Sequence, residues 1–265
     1  MKHSVVNELK SYANSDKISD CMRFFKTGKG EYGEGDQFLG IKVPDIRKVV
    51  KKHYSSLSLN EIQEFLYSPY HEHRMFALLV LVALYQSKRF DNRLLPKLGT
   101  GALAPAFGEA KAITSNEFWE KSNKATIYHF YINHTAQINN WDLIDVTCPH
   151  IVGVHLLNRD RSILYRFARS NHLWERRIAI ITTFAFIKAG EFEDTFAIAD
   201  ILLKDTHDLI HKAVGWAIRT VGNKNLEAEI EYLNPRYKQM PRTMLRYAIE
   251  KFDEPLRLQY LRGEI

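Results

Sequence analysis

The sequence predicts an all-α protein, a superhelix of stacked helix pairs, and three observations predict it. Strand signals are nearly absent: no alternating β-branched runs are joined by an Asn-Gly or Asp-Gly turn. Helical periodicity runs through most of the 265 residues. Helix openings also recur. Arg74-Met-Phe-Ala-Leu-Leu, Arg177-Ile-Ala-Ile-Ile, Lys212-Ala-Val-Gly-Trp and Thr243-Met-Leu-Arg-Tyr-Ala each start polar or basic and continue small and aliphatic. Arg177 and Lys212 are 35 residues apart, the size of a two-helix repeat. Such pairs stack because no single pair buries its own apolar face. The stack curves, and basic residues repeated at helix starts give it a basic concave groove. An irregular helical bundle is the alternative.

The expected helices are 4–14, 16–26, 44–55, 59–67 and 71–87, followed by 115–136, 140–147, 149–157, 159–170 and 173–189. The last five are 191–203, 206–221, 224–233, 241–252 and 254–262. Pro44 and Pro241 suit first helical positions. Ser58 with Glu61 forms a capping box ahead of 59–67. The apolar run Met75 to Tyr85 suits a buried core helix. Gly190 and Gly222 suit C-terminal stops. Residues 93–114, rich in Gly, Ala, Leu and Pro, read as a loop-like insertion within a single domain of residues 1–265. A short helix after Pro105 is the other reading of that segment.

A net charge of +6 and a pI near 9.1 favour a polyanionic partner, nucleic acid before an anionic membrane. Cys21 and Cys148 give neither a disulfide framework nor zinc spacing. A reducing, cytoplasmic setting is expected. The N-terminus has no apolar run of signal-peptide length, and no stretch approaches the ~18 apolar residues of a membrane span.

Several motifs carry possible chemistry. Gly28, Gly30 and Gly33 form a G-x-G-x-x-G, but a helix precedes them rather than a strand, which excludes a dinucleotide fold. The segment reads as a flexible loop whose Lys29 and Tyr32 can approach a nucleic-acid backbone. His207 and His211 have metal-ligand spacing but no third ligand. His71/His73 and His129/His134 read as surface or core residues, and no metal site is expected. Nothing places Ser-His-Asp or Cys-His partners together. In NNWDLID, Trp141 and Asp145 share one helical face, while Asp142 points elsewhere and caps the helix start. The alternative is a buried Trp with an exposed Asp. Arg176 and Arg177 follow Trp174. Trp216 lies on the next repeat helix, with Lys212 and Arg219 a turn to either side.

These motifs resemble the DNA alkylation repair enzymes of the AlkD-like, HEAT-repeat type. The resemblance rests on FLGIKVPDIRKV (38–49), HRMFALL (73–79), INNWDLID (138–145), LWERRIAI (173–180), HKAVGWAIR (211–219) and the Arg-containing helix at 241–248. It implies a HEAT-like α-solenoid and a monofunctional DNA glycosylase. Its substrates would be N3- and N7-alkylated purines, 7-methylguanine and 3-methyladenine, in double-stranded DNA. It also implies recognition through the backbone without base flipping, no cofactor and no metal. A monomer is expected.

Carried over by motif, the catalytic carboxylate falls on Asp145, with Trp141, Trp216 and Arg177 beside it. The backbone-contacting Arg falls on Arg219. The DNA-binding set is Lys42, Arg47, Arg176, Lys212, Arg219, Arg242 and Arg246. Asp145 would stabilise an oxocarbenium-like sugar and orient water. The two tryptophans would flank the deoxyribose, and Arg177, Arg219 and Lys212 would hold phosphates. The chain departs from the family pattern at 93–114 and in the Gly-rich stretch before Phe38. A non-catalytic binder of bent or branched DNA is one alternative, a HEAT-type protein scaffold another.

Overall fold

The computed structural model describes residues 2–87 and 115–265, with side chains over 3–87 and 124–265. The expected insertion at 93–114 lies outside the described residues. Among those described, regular structure is helical, apart from one isolated parallel bridge of Gln37 with Tyr70. Two compact units result, Met1–Leu143 and Ile144–Ile265.

The first unit holds α1 (Lys2–Ser11), α2 (Ile18–Phe24), α3 (Val43–His53), α4 (Leu59–Leu66), α5 (His71–Gln86) and α6 (Ser115–Asn133). It ends within the short helix α7 (Trp141–Asp145). Helices α3, α4 and α6 pack on α5, whose apolar run is buried as expected. The capping box forms: Glu61 N donates to Ser58 Oγ at 3.3 Å, and Ser58 N to Glu61 Oε2 at 3.0 Å. The segment feeding α3 is fixed by Glu72. Its buried carboxylate accepts from Leu39 N (2.9 Å), Gly40 N (2.8 Å) and Ile41 N (3.2 Å). Gly40 is required there. Its φ is +73°, and a Cβ would stand 2.1 Å from Asn14 O.

The second unit holds α8 (Val154–Leu156), α9 (Ser162–Ala168), α10 (Leu173–Thr182), α11 (Phe184–Ala189) and α12 (Glu193–Leu202). The long helix α13 (Asp208–Gly222) follows, then α14 (Leu226–Leu233), α15 (Arg242–Ala248) and α16 (Glu254–Arg262). Helix α10 packs on α9, α12 and α13, while α13 packs on α12, α14 and α15. Gly215 permits the close approach of α13 to α15: a Cβ would lie 2.4 Å from Met244 O. Arg161 ties two further turns together. It pairs with Asp194 at 2.6 Å and lies 3.9 Å over the Phe186 ring.

Two expected helices are interrupted. The stretch 149–157 opens as a π turn, Pro149–Gly153, before α8. Pro149 has no N–H to offer an α ladder, which favours such irregularity. The stretch 173–189 breaks after Thr182, because Thr183 Oγ1 donates back to Ile180 O at 2.7 Å. A hydroxyl bonding into the preceding turn bends a helix. Pro241 caps α15 rather than opening it, a shift of one position.

Candidate functional site

Asp145 closes α7, and Arg177 lies in the second turn of α10. Both belong to the second unit. The guanidinium meets the carboxylate edge on, Nε to Oδ1 at 2.9 Å and Nη2 to Oδ2 at 2.8 Å. Its remaining nitrogen, Nη1, donates to Leu209 O at 2.7 Å, at the start of α13. Three elements therefore meet on one cation that is only 4% exposed. Each of its three nitrogens thus makes one bond within the fold, to Asp145 or to Leu209. The residue fixes the plane of the Asp145 carboxylate, as a planar fork can and an ammonium cannot.

The neighbouring side chains divide into engaged and surface groups. Arg176 turns away from Arg177 and binds Asp205 Oδ2 at 2.6 Å and Ser170 O at 3.0 Å, anchoring the turn before α13. Lys212 pairs with Asp208 at 2.6 Å, and Arg219 pairs with Glu250. Arg242 is exposed and donates to Leu261 O at 2.8 Å. Arg246 on α15, with Lys42 and Arg47 at the start of α3, is also exposed. Trp216, two turns beyond Leu209 on α13, is half-buried against Phe184, ring centres 4.6 Å apart.

Trp141 belongs to the first unit and ends a column of rings. Phe25 stacks on it at 5.6 Å, Phe38 stacks on Phe25 at 5.2 Å, and Phe24 meets the Trp141 ring edge at 5.7 Å. Beneath the column lies a polar cluster that sequence reasoning missed. His71 Nε2 is 2.8 Å from Asp142 Oδ2, and Arg74 Nη2 is 2.7 Å from Asp36 Oδ1. Burial alone would push the His71 imidazole down, but the Asp142 and Asp36 carboxylates overcome it and raise its pKa to about 9. Burial likewise opposes ionisation of Asp36, yet His71 and Arg74 hold its pKa below the usual carboxylate value. One signal could have found the cluster. His71, Glu72, His73 and Arg74 are four polar residues heading a helix that is otherwise apolar, and a buried polar run must be satisfied internally.

The Gly-rich stretch, expected as a flexible loop, forms hydrogen-bonded turns. Glu31 and Glu34 carboxylates accept from Gly28 N (2.9 Å) and Gly30 N (2.8 Å). Its function in the fold is to deliver Asp36 to the buried cluster. His207 and His211 each serve the backbone, His207 Nδ1 capping Leu209 N at 3.1 Å and His211 Nε2 lying 2.5 Å from Asp205 O. Among the described residues, no group of three or more His, Cys, Asp or Glu is placed to hold a metal. No described helix is long and apolar enough to cross a membrane.

The family model described as DNA alkylation repair enzyme matches residues 5–252. The chain belongs to this family. The match spans every motif that carried the resemblance and every residue of the expected site. Membership in the DNA alkylation repair family supports a role in alkylation repair, with DNA as the partner. The fold is also that of a solved structure described as a predicted DNA alkylation repair enzyme from Enterococcus faecalis. The TM-score is 0.58 at 14% sequence identity, over 91% of this chain and 97% of that one. A search of curated proteins finds no match.

Proposed function

We propose that this member of the alkylation repair family is a monofunctional DNA glycosylase, hydrolysing the N-glycosidic bond of N3- and N7-alkylated purines in duplex DNA. The observation that carries the reading is the Asp145 carboxylate held by Arg177 and, through Arg177, by Leu209 O. Alkylation at N3 or N7 makes the purine cationic and weakens its bond to the sugar. Departure of the base leaves an oxocarbenium-like sugar. A fixed carboxylate beside that sugar stabilises the developing positive charge and orients the attacking water. A single pre-organised electrostatic group of this kind is worth about 3–4 kcal/mol. Trp141 in the first unit and Trp216 in the second are assigned as aromatic contacts to DNA. Cation–π attraction adds about 0.5–2 kcal/mol where such a face meets a cationic sugar or base.

The HEAT-like solenoid with a basic concave groove, built as one functional domain of residues 1–265, belongs to the same proposal. Its support is the pairwise packing of α10 and α13 on their neighbours. Exposed Lys42, Arg47 and Arg246, with Lys212, Arg219 and Arg242, are assigned to the phosphate backbone. The chemistry calls for no metal or cofactor.

The test is release of 7-methylguanine or 3-methyladenine from methylated duplex DNA. Wild type releases base, and a folded Asp145→Asn variant loses at least about 100-fold in rate. No release by wild type, or equal release by the variant, rejects the enzymatic reading. The excess positive charge supports a second reading, DNA binding without excision. Salt-sensitive binding to bent or branched DNA, with no base released, is its signature.

A further inference from the structure

His71 is buried, carries two carboxylate neighbours, and has no part in the glycosidic chemistry. Its place explains how Trp141 is held. Along one arm, His71 Nε2 is bonded at 2.8 Å to Asp142, the residue that follows Trp141. Along the other, its ring lies 4.8 Å from Phe25, and Phe25 stacks on Trp141. Phe38 closes the column, 5.0 Å from His71 and 5.2 Å from Phe25. Behind the imidazole, Nδ1 is 3.5 Å from Asp36 Oδ2. Asp36 also receives the amides of Asn139 and Asn140 at 3.4 and 3.5 Å. Asn140 Oδ1 in turn accepts from Trp141 N at 2.9 Å.

We propose that His71 is a positioning residue for Trp141, setting the indole through Asp142 on one side and through Phe25 on the other. The proposal rests on the assignment of Trp141 to DNA. Protonation matters to it. A neutral imidazole donates to one carboxylate only, whereas the imidazolium donates toward both. Burial opposes the charge, but Asp142 and Asp36 keep the imidazole protonated up to about pH 9. Arg74 and Glu72 on α5, Asp36 in the preceding turn and Asp142 on α7 are the charged groups around it. Cys21 on α2 senses Asp142 and Glu72, and burial chiefly raises its thiol.

The test labels the full chain with 5-fluorotryptophan, the 19F signals being assigned by single Trp→Phe changes. In His71→Asn, the Trp141 signal moves and broadens, while those of Trp174 and Trp216 in the second unit stay in place. Asp142→Asn produces the same displacement and serves if His71→Asn folds poorly. In a Cys21→Ser background, which removes the thiol titration, the Trp141 signal titrates in the alkaline range, and His71→Asn abolishes that titration. His71→Asn also slows base release roughly tenfold or more, as a misplaced contact does. It adds nothing further in a Trp141→Ala background, because coupled residues are not additive. An unmoved Trp141 signal in both His71→Asn and Asp142→Asn overturns the proposal, even where Trp141→Ala impairs release. Additive losses in the double variant overturn it as well. Unimpaired release by Trp141→Ala overturns the proposal together with the assignment of Trp141 to DNA.

Discussion

Arg177 holds the Asp145 carboxylate with two near-parallel bonds of 2.9 and 2.8 Å, and the pair joins residues 32 apart in sequence. The two side chains are 5% and 12% exposed. Their charges are tolerated there in large part through this pairing. Arg177→Met takes two charge-assisted bonds from the carboxylate and is expected to cost about 3–5 kcal/mol of stability by urea unfolding. The double variant with Asp145→Leu recovers much of that loss. A single change that costs no more than the double would show that the pairing is not what holds these charges.

Gly40→Ala is expected to destabilise far more than Gly35→Ala. Both glycines have positive φ, +73° and +89°, which costs a non-glycine residue about 1–2 kcal/mol. Only Gly40 has a backbone oxygen in the way, with Asn14 O 2.1 Å from the new Cβ, whereas nothing lies within 4 Å at Gly35. Shifting Gly40 also disturbs the three N–H groups held by Glu72. Equal unfolding midpoints for the two variants would contradict this.

Glu229 is buried on α14, and burial raises its pKa to about 8 despite the charge of Arg219. Its Oε1 has no hydrogen-bond partner. The unfolded chain ionises this group near 4.5, whereas the folded chain keeps the proton until about 8. The Glu229 contribution to stability therefore falls as pH rises from 4.5 to 8 and levels off beyond. Glu229→Gln removes that dependence. Its melting temperature should exceed the wild-type value above pH 8, with the gap closing toward pH 4.5. A constant difference across the range would mean that Glu229 does not titrate this way.

Lys42→Ala and Arg47→Ala should each weaken duplex binding and lower the slope of log K against log salt by about one. Fluorescence anisotropy at several salt concentrations measures it. Arg176→Ala should leave the slope nearly unchanged, since Asp205 and Ser170 already engage its guanidinium. A slope change as large for Arg176 as for Lys42 would show that the Asp205 contact gives way to phosphate.

The sequence by itself determined the helices. Periodicity, the Ser58–Glu61 box and the stop at Gly190 act within a few residues, so they can be read where they stand, whereas Gly222, expected as a stop, is the last residue of α13 and Asn223 caps it. It also placed Trp141, Asp145, Arg177 and Trp216 in motifs of fixed spacing, from which the proposed site is assigned. Only the tertiary structure decided which side chains meet. Arg177 meets the Asp145 carboxylate, 32 residues away, and Asp142, expected to cap a helix start, pairs with His71, 71 residues earlier. Local spacing carries no information about such partners. They are chosen by how buried helices pack, where an unpaired charge costs too much to persist and each ionised group must find its opposite.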